Sequence, residues 1–274
     1  MDHISFWVTF VPLSLVSVYG IVSLFVFSFY YPKMQRQPDL VDDRHTSKIL
    51  NTWIRYWWIW TVSPLFKILL KSKLTPNQIS FLGLILALLS CLSFAFGDLW
   101  IGASAFSVGG WFMVLGGSMD FMDGWVARKT GQETESGAFF DSCLDRIAES
   151  FVLAGLAWHY RGSSALWVVM FAFTGSMMTS YAKCRGDKMG VSYGGGVMQR
   201  PERVVYLGVG GIFAPQVAML VCRFFPQFFP DFAAAADFIY LVPLGFVAIM
   251  SNITSFDRIR TVMRLLDERA RQKK

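Results

Sequence analysis

A chain of 274 residues that is 54% hydrophobic and only 16% charged, with a mean hydropathy of +0.44, is not a soluble globular domain. Its formal charge of +6 comes from basic segments that flank apolar runs, so it calls for an anionic leaflet and not for nucleic acid. The four cysteines are scattered and none of the three histidines lies near Asp120, Asp123, Asp141 or Asp145, so no spacing points to a zinc site or a disulfide framework.

Seven apolar stretches are long enough to cross a bilayer: 5–30, 78–97, 100–128, 137–159, 164–185, 203–223 and 235–256. They are continuous and do not alternate, so the predicted class is an all-α integral membrane protein and not a β-barrel. Residues 1–36 form an N-terminal transmembrane anchor. A signal peptide would have a basic start and a shorter apolar core, and Lys33 and Arg36 follow this stretch. Residues 37–73 are a juxtamembrane segment that places Lys48, Arg55 and Lys67 beside a Trp-rich face. This pattern predicts an amphipathic helix lying on the cytoplasmic leaflet, kinked or broken at Pro64. Thr75 and Pro76 then suit the N-cap and first position of the next helix. Six spans fill 74–256, and 257–274 is a basic, helical cytoplasmic tail.

Of the 25 Lys and Arg residues, 22 fall at ends that seven alternating spans place on one side. Arg161 and Arg223 fall on the other side and Arg146 within a span. The positive-inside rule puts the N-terminus outside and the C-terminus in the cytoplasm.

The segment "MDFMDGWVARKTGQETESGAFFDSCLDRIAES" (119–150) carries four aspartates at cytoplasmic span ends. Asp120, Asp123, Gly124 and Ala127 share one helix face, and Asp141 and Asp145 share another with Gly137. The link 129–136 is short, which predicts antiparallel neighbouring helices whose carboxylates converge. Carboxylates at close range need cations, and an all-oxygen set suits Mg²⁺ or Mn²⁺. Gly124 and Ala127 leave the face bare for a phosphorylated ligand. An ion-paired cluster with Arg128 and Arg146 is the purely structural reading, but acids inside a membrane are functional by default.

The run Asp120, Asp123, Gly124, Ala127, Arg128, Gly137, Asp141, Asp145 resembles the signature of the CDP-alcohol phosphotransferases without a gap. The likeness covers residues 74–256, the six-helix core of that family. It implies transfer of a substituted phosphate from a CDP-linked donor to an alcohol, with release of CMP, in a homodimer. It further implies two ions per site. Asp120, Asp123 and Asp141 would hold one, and Asp120, Asp141 and Asp145 the other, with Asp145 also the general base. Asn77, Gly124, Ala127, Arg128, Thr134 and Gly137 are the implied donor contacts.

Ser180, Lys183, Arg185, Arg200 and Arg203 flank two spans near that end, and clustered cations bind phosphate. Their segments resemble the phosphatidylinositol-phosphate synthase branch, which implies CDP-diacylglycerol as donor and inositol 1-phosphate as acceptor. Glycerol 3-phosphate or another alcohol is the alternative acceptor. Glu202 is expected to orient an arginine. Two other readings compete. A membrane prenyltransferase would space its acidic motifs more widely, and a divalent-cation transporter would show metal flux without CDP-lipid.

Overall fold

The computed structural model describes residues 3–31, 52–71, 74–229 and 231–272. The juxtamembrane stretch 37–51 lies outside the described residues, as does the flank of the first apolar run at 32–36. The described residues are helical, in order α1 (His3–Tyr30), α2 (Thr52–Lys71), α3 (Pro76–Phe96), α4 (Asp98–Ile101), α5 (Ser104–Thr130), α6 (Glu135–His159), α7 (Ala165–Lys188), α8 (Arg200–Phe224) and α9 (Phe232–Gln272).

Local chemistry sets several of these ends. Thr75 caps α3 in a capping box: its hydroxyl accepts from the Gln78 N–H, and the Gln78 side chain accepts from the Thr75 N–H at 2.9 Å. Pro76 occupies the first turn, where a missing N–H costs nothing. Gly131, at φ 67°, stops α5 in a left-handed cap. Thr134 caps α6 by accepting from the Gly137 N–H at 3.0 Å. α2 is continuous through position 64, so Pro64 does not break it.

Six long helices close a ring. α3 packs on α5, α5 on α8, α8 on α9, α9 on α7, α7 on α6, and α6 returns to α3. Small residues bring the backbones close, as in membrane bundles generally. At the α5–α8 crossing a Cβ on Gly110 would meet the backbone of Gly208 and Gly211, and at the α3–α6 crossing one on Gly155 would meet the backbone of Cys91. The main core runs through Phe94, Phe106, Leu156, Val169, Tyr240 and Leu244, all nearly inaccessible.

α5 and α6 are not the close neighbours expected from their short link. They touch sparsely, because α3 lies along both. The result is a cleft between α5 and α6, floored by α3 and α8. Among the described residues, four helices are long and apolar enough to cross a membrane by composition: α3, α7, α8 and α9. α5 and α6 fall short because they carry the charges of the cleft. The chain is a multi-pass membrane protein.

α1 and α2 lie outside the ring. Phe27 is fully buried against Trp53, Trp60 and Tyr31. Trp57 donates to Ser23 on α1, and Trp58 donates to Ser118 on α5 at 2.8 Å. Val62 of α2 joins Ile79, Met119, Met122 and Val126 in a second small core behind the acidic face of α5. At the other end of the chain, α9 has 41 residues, roughly 60 Å at helical rise, about twice a bilayer core. No break separates the last span from the basic tail.

Candidate active site

α5 and α6 deliver carboxylates to the cleft from opposite walls. Oxygens of Asp120, Asp141 and Asp145 lie within 4.8 Å of one another. Arg200, the first residue of α8, reaches in from a third direction. Its Nη1 is 2.6 Å from Asp120 Oδ2 and 2.6 Å from Asp145 Oδ1. Three negative charges against one positive leave an acidic excess in a partly desolvated cleft, which favours divalent cations.

Asp123 lines the same cleft but is not one of the three whose oxygens lie within 4.8 Å of one another. It is buried and accepts a short hydrogen bond from Ser80 on α3. Nothing in the sequence marks Ser80, since serine is an ordinary residue in a membrane helix.

Behind Asp145 the charges continue as a ladder along α6. Arg146 Nη2 is 3.7 Å from Asp145 Oδ2, and its Nη1 lies 3.3 Å from Glu149 Oε2 and also donates to Ser180 on α7. Glu149 then takes Arg203 in a two-pronged pair, Nε to Oε1 at 2.5 Å and Nη2 to Oε2 at 3.1 Å. Arg203 also donates to the Met198 carbonyl at 3.2 Å and is 2% exposed. Glu149 was missed in the sequence, although it stands one turn after Asp145 on the same face.

The residues grouped as acceptor ligands therefore separate. Arg200 sits among the acids, Arg203 is taken up by Glu149, and Ser180 holds Arg146. Lys183 and Arg185 are exposed on the last turns of α7. Glu202 does not orient an arginine. It is fully buried and, among the described residues, neither oxygen has a hydrogen-bond partner. Glu149 does that work instead. Of the two arginines in the purely structural reading, Arg146 lies 3.7 Å from Asp145 and Arg128 is exposed.

The donor candidates fall into two groups beside the acids. Asn77, Thr134 and Gly137 meet where α3 and α6 begin: a Cβ on Gly137 would lie 2.8 Å from Thr134 Oγ1 and 3.8 Å from Asn77 Oδ1. On α5, a Cβ added to Gly124 would lie 3.5 Å from Arg128 Nη1, and Ala127 is half-buried on the same helix. Gly124 leaves open helix surface beside the exposed Arg128, whereas Gly137 packs closely under Thr134.

A family model, CDP-alcohol phosphatidyltransferase, matches residues 73–225, which contain all four aspartates and Arg200. The chain belongs to the CDP-alcohol phosphatidyltransferase family. Within this family it is 34% identical over 152 residues to the phosphatidylinositol phosphate synthase of Mycolicibacterium smegmatis, covering 54% of this chain and 65% of that protein. The chain thus spans just under two thirds of that relative's length. Two crystal structures of the Mycobacterium tuberculosis phosphatidylinositol phosphate synthase are also similar. The one with CDP-DAG bound is 29% identical with a TM-score of 0.54, over 73% of this chain and 92% of that one. The complex with manganese and citrate is 28% identical with a TM-score of 0.55, over 73% and 88%. α1, α2 and all of α9 lie outside the matched family region.

Proposed function

We propose that the protein is a metal-dependent phosphatidyltransferase of phospholipid synthesis. It moves the phosphatidyl group of CDP-diacylglycerol to a phosphorylated polyol, inositol 1-phosphate first, and releases CMP. The observation that carries this reading is the convergence of Asp120, Asp141 and Asp145 beside Arg200 in a chain of this family. The similar proteins named as phosphatidylinositol phosphate synthases support the acceptor class. Glycerol 3-phosphate is the second acceptor to test.

Three carboxylates with oxygens within 4.8 Å fit a hard divalent ion, and Asp123 is a fourth carboxylate on the same cleft. Two ions, Mg²⁺ or Mn²⁺, held by these residues would supply the positive charge that a diphosphate needs as its bond breaks. The protein's own groups do the rest. Arg128 with Gly124, and Asn77 with Thr134 and Gly137, receive the CDP head. Asp145 takes the proton of the acceptor hydroxyl at Oδ2, the oxygen that faces Arg146 across the longer, 3.7 Å contact. The acceptor oxygen then bonds to the phosphorus that carries diacylglycerol, and the bond from that phosphorus to the CMP oxygen breaks. Arg200, with Lys183 and Arg185 from the exposed last turns of α7, binds the acceptor's phosphate. Arg203 supports them through Glu149. A homodimer with its active site on the cytoplasmic face completes the reading, on family likeness and charge distribution.

The test is CMP release by purified protein in detergent with CDP-diacylglycerol. Inositol 1-phosphate, free inositol, glycerol 3-phosphate and serine are offered separately, with Mg²⁺ or Mn²⁺ and again after EDTA. The expected result is release with inositol 1-phosphate alone, lost on chelation and restored by either ion. Release with a different acceptor overturns the acceptor assignment. Release that survives thorough chelation overturns the metal mechanism. No release from folded protein, together with metal flux into liposomes, would establish the transporter instead.

A further inference from the structure

Arg258 lies on α9, beyond the region matched by the family, and is 4% exposed. Among the described residues it forms no ion pair. Its guanidinium is spent on backbone carbonyls instead: Nε donates to Gly195 at 2.8 Å, Nη2 to Gly194 at 3.2 Å and Nη1 to Thr179 at 2.8 Å. Two of these carbonyls belong to the loop between α7 and α8, and the third to α7 itself. Burying a cation without a carboxylate is costly, so the geometry it secures should matter.

The loop needs such a hold. Gly194, Gly195 and Gly196 are consecutive, and glycine loses more freedom on being fixed than any other residue. Gly196 is at φ 115°, and a Cβ there would run into Thr254 of α9. Thr254 Oγ1 in turn accepts from the Met198 N–H at 3.0 Å, and Tyr193 donates to Asp257 at 2.9 Å. α9 therefore grips the loop from Tyr193 to Met198. Both ends of what Arg258 joins lead to the cleft. Thr179 precedes Ser180, which holds Arg146, and the loop runs directly into Arg200.

We propose that Arg258 is a positioning residue for the acceptor subsite. Its planar fork sets the spacing between the end of α7, with Ser180 and Lys183, and the start of α8, with Arg200. A lysine cannot reproduce this, because one ammonium cannot span three carbonyls on two elements. The inference rests on the acceptor-binding role given above to Arg200 and Lys183.

The experiment compares Arg258→Gln, Arg258→Lys and Thr254→Val with the unmodified protein. Both substrates are varied in steady-state CMP release, and hydrogen–deuterium exchange is followed peptide by peptide. For Arg258→Gln the acceptor KM should rise about tenfold while kcat and the donor KM stay within about twofold. Exchange should rise in residues 190–199 and not in α3 or α5. Arg258→Lys should fall between, and Thr254→Val, which loses a single loop bond, should show the same split at smaller amplitude. A parallel loss in both substrates and kcat, or an acceptor KM unchanged in both Arg258→Gln and Thr254→Val, overturns the proposal. If Arg258→Gln does not fold, Thr254→Val decides by the same criterion. If the unmodified protein releases no CMP with any acceptor, the functional reading has failed on its own. Loop exchange then decides the anchor: a rise upholds it and no change overturns it.

Discussion

In the proposed reaction Asp145 is the general base, and its surroundings say how a substitution should behave. Its Oδ1 is held by Arg200 at 2.6 Å, so the carboxylate is oriented as well as placed. Asp145→Asn keeps that shape and removes the basic oxygen. Turnover should fall at least about 100-fold, the usual worth of a positioned general base, while CDP-lipid binding is retained in part. Single-turnover CMP release and direct donor binding measure the two separately, and normal turnover would remove Asp145 as the base. Glu149 tests support rather than chemistry. It is nearly buried and carries two arginines, so Glu149→Gln leaves Arg203 with a weakened partner. Stability in micelles, read from denaturant titration, should drop by about 3–5 kcal/mol, the cost of breaking a buried pair from one side. Combining it with Arg203→Met should recover much of that loss, since the uncompensated charge is then gone. The four aspartates could be found in the sequence because their spacing is chemical and regular. Glu149 was equally regular, but it was hidden by the assumption that the paired acid would lie beside its arginine in sequence, at Glu202. Ser80 gave no signal at all.

Helix by helix, the apolar runs and the cap at Thr75 and Pro76 were legible, and the contacts between helices were not. Gly131 and Thr134 also bound their helices by local chemistry, but neither was read as a cap in the sequence. The insertion of α3 between α5 and α6 depends on which small residues meet across space, Gly155 on Cys91 and Gly83 on Gly116, and no local pattern encodes such pairs. The same holds for α2. Its tryptophans suggested a face for the lipid surface, yet Trp58 turns to Ser118 and packs with the cluster of Met119, Met122 and Val126. Those methionines adjoin Asp120 and Asp123, so α2 braces the back of the helix that carries the acids. Trp58→Ala should lower stability by about 3 kcal/mol at most, since the indole is only half-buried, and should reduce kcat through α5. Trp100→Ala, at 84% exposure, should stay within about 0.5 kcal/mol. Thermal melting and CMP release on both variants provide the comparison, and equal effects would argue against a specific brace.

For the molecule as a whole, the ring of helices gives the charge asymmetry a physical meaning. The acidic cleft, the α5–α6 link, the glycine loop and the long end of α9 all lie at one end, with most of the Lys and Arg among the described residues. The opposite end has Arg161 stacked on Trp158 and an aromatic loop containing Phe225 and Phe228. Positive charge is retained in the cytoplasm, so the basic end should face it. α7 makes this testable with little disturbance. Cys184 is exposed near its basic end, while Ser163 precedes its other end. The 21 steps from one to the other rise roughly 32 Å, about one bilayer core. A membrane-impermeant maleimide should label Cys184 in inside-out vesicles and not in right-side-out ones. In a Cys184→Ser background, Ser163→Cys should show the reverse. The opposite pattern would invert the orientation and put the cleft outside, away from a cytoplasmic phosphorylated acceptor. Labelling of both positions from one side would mean that α7 does not cross, which the closed ring around the cleft does not allow.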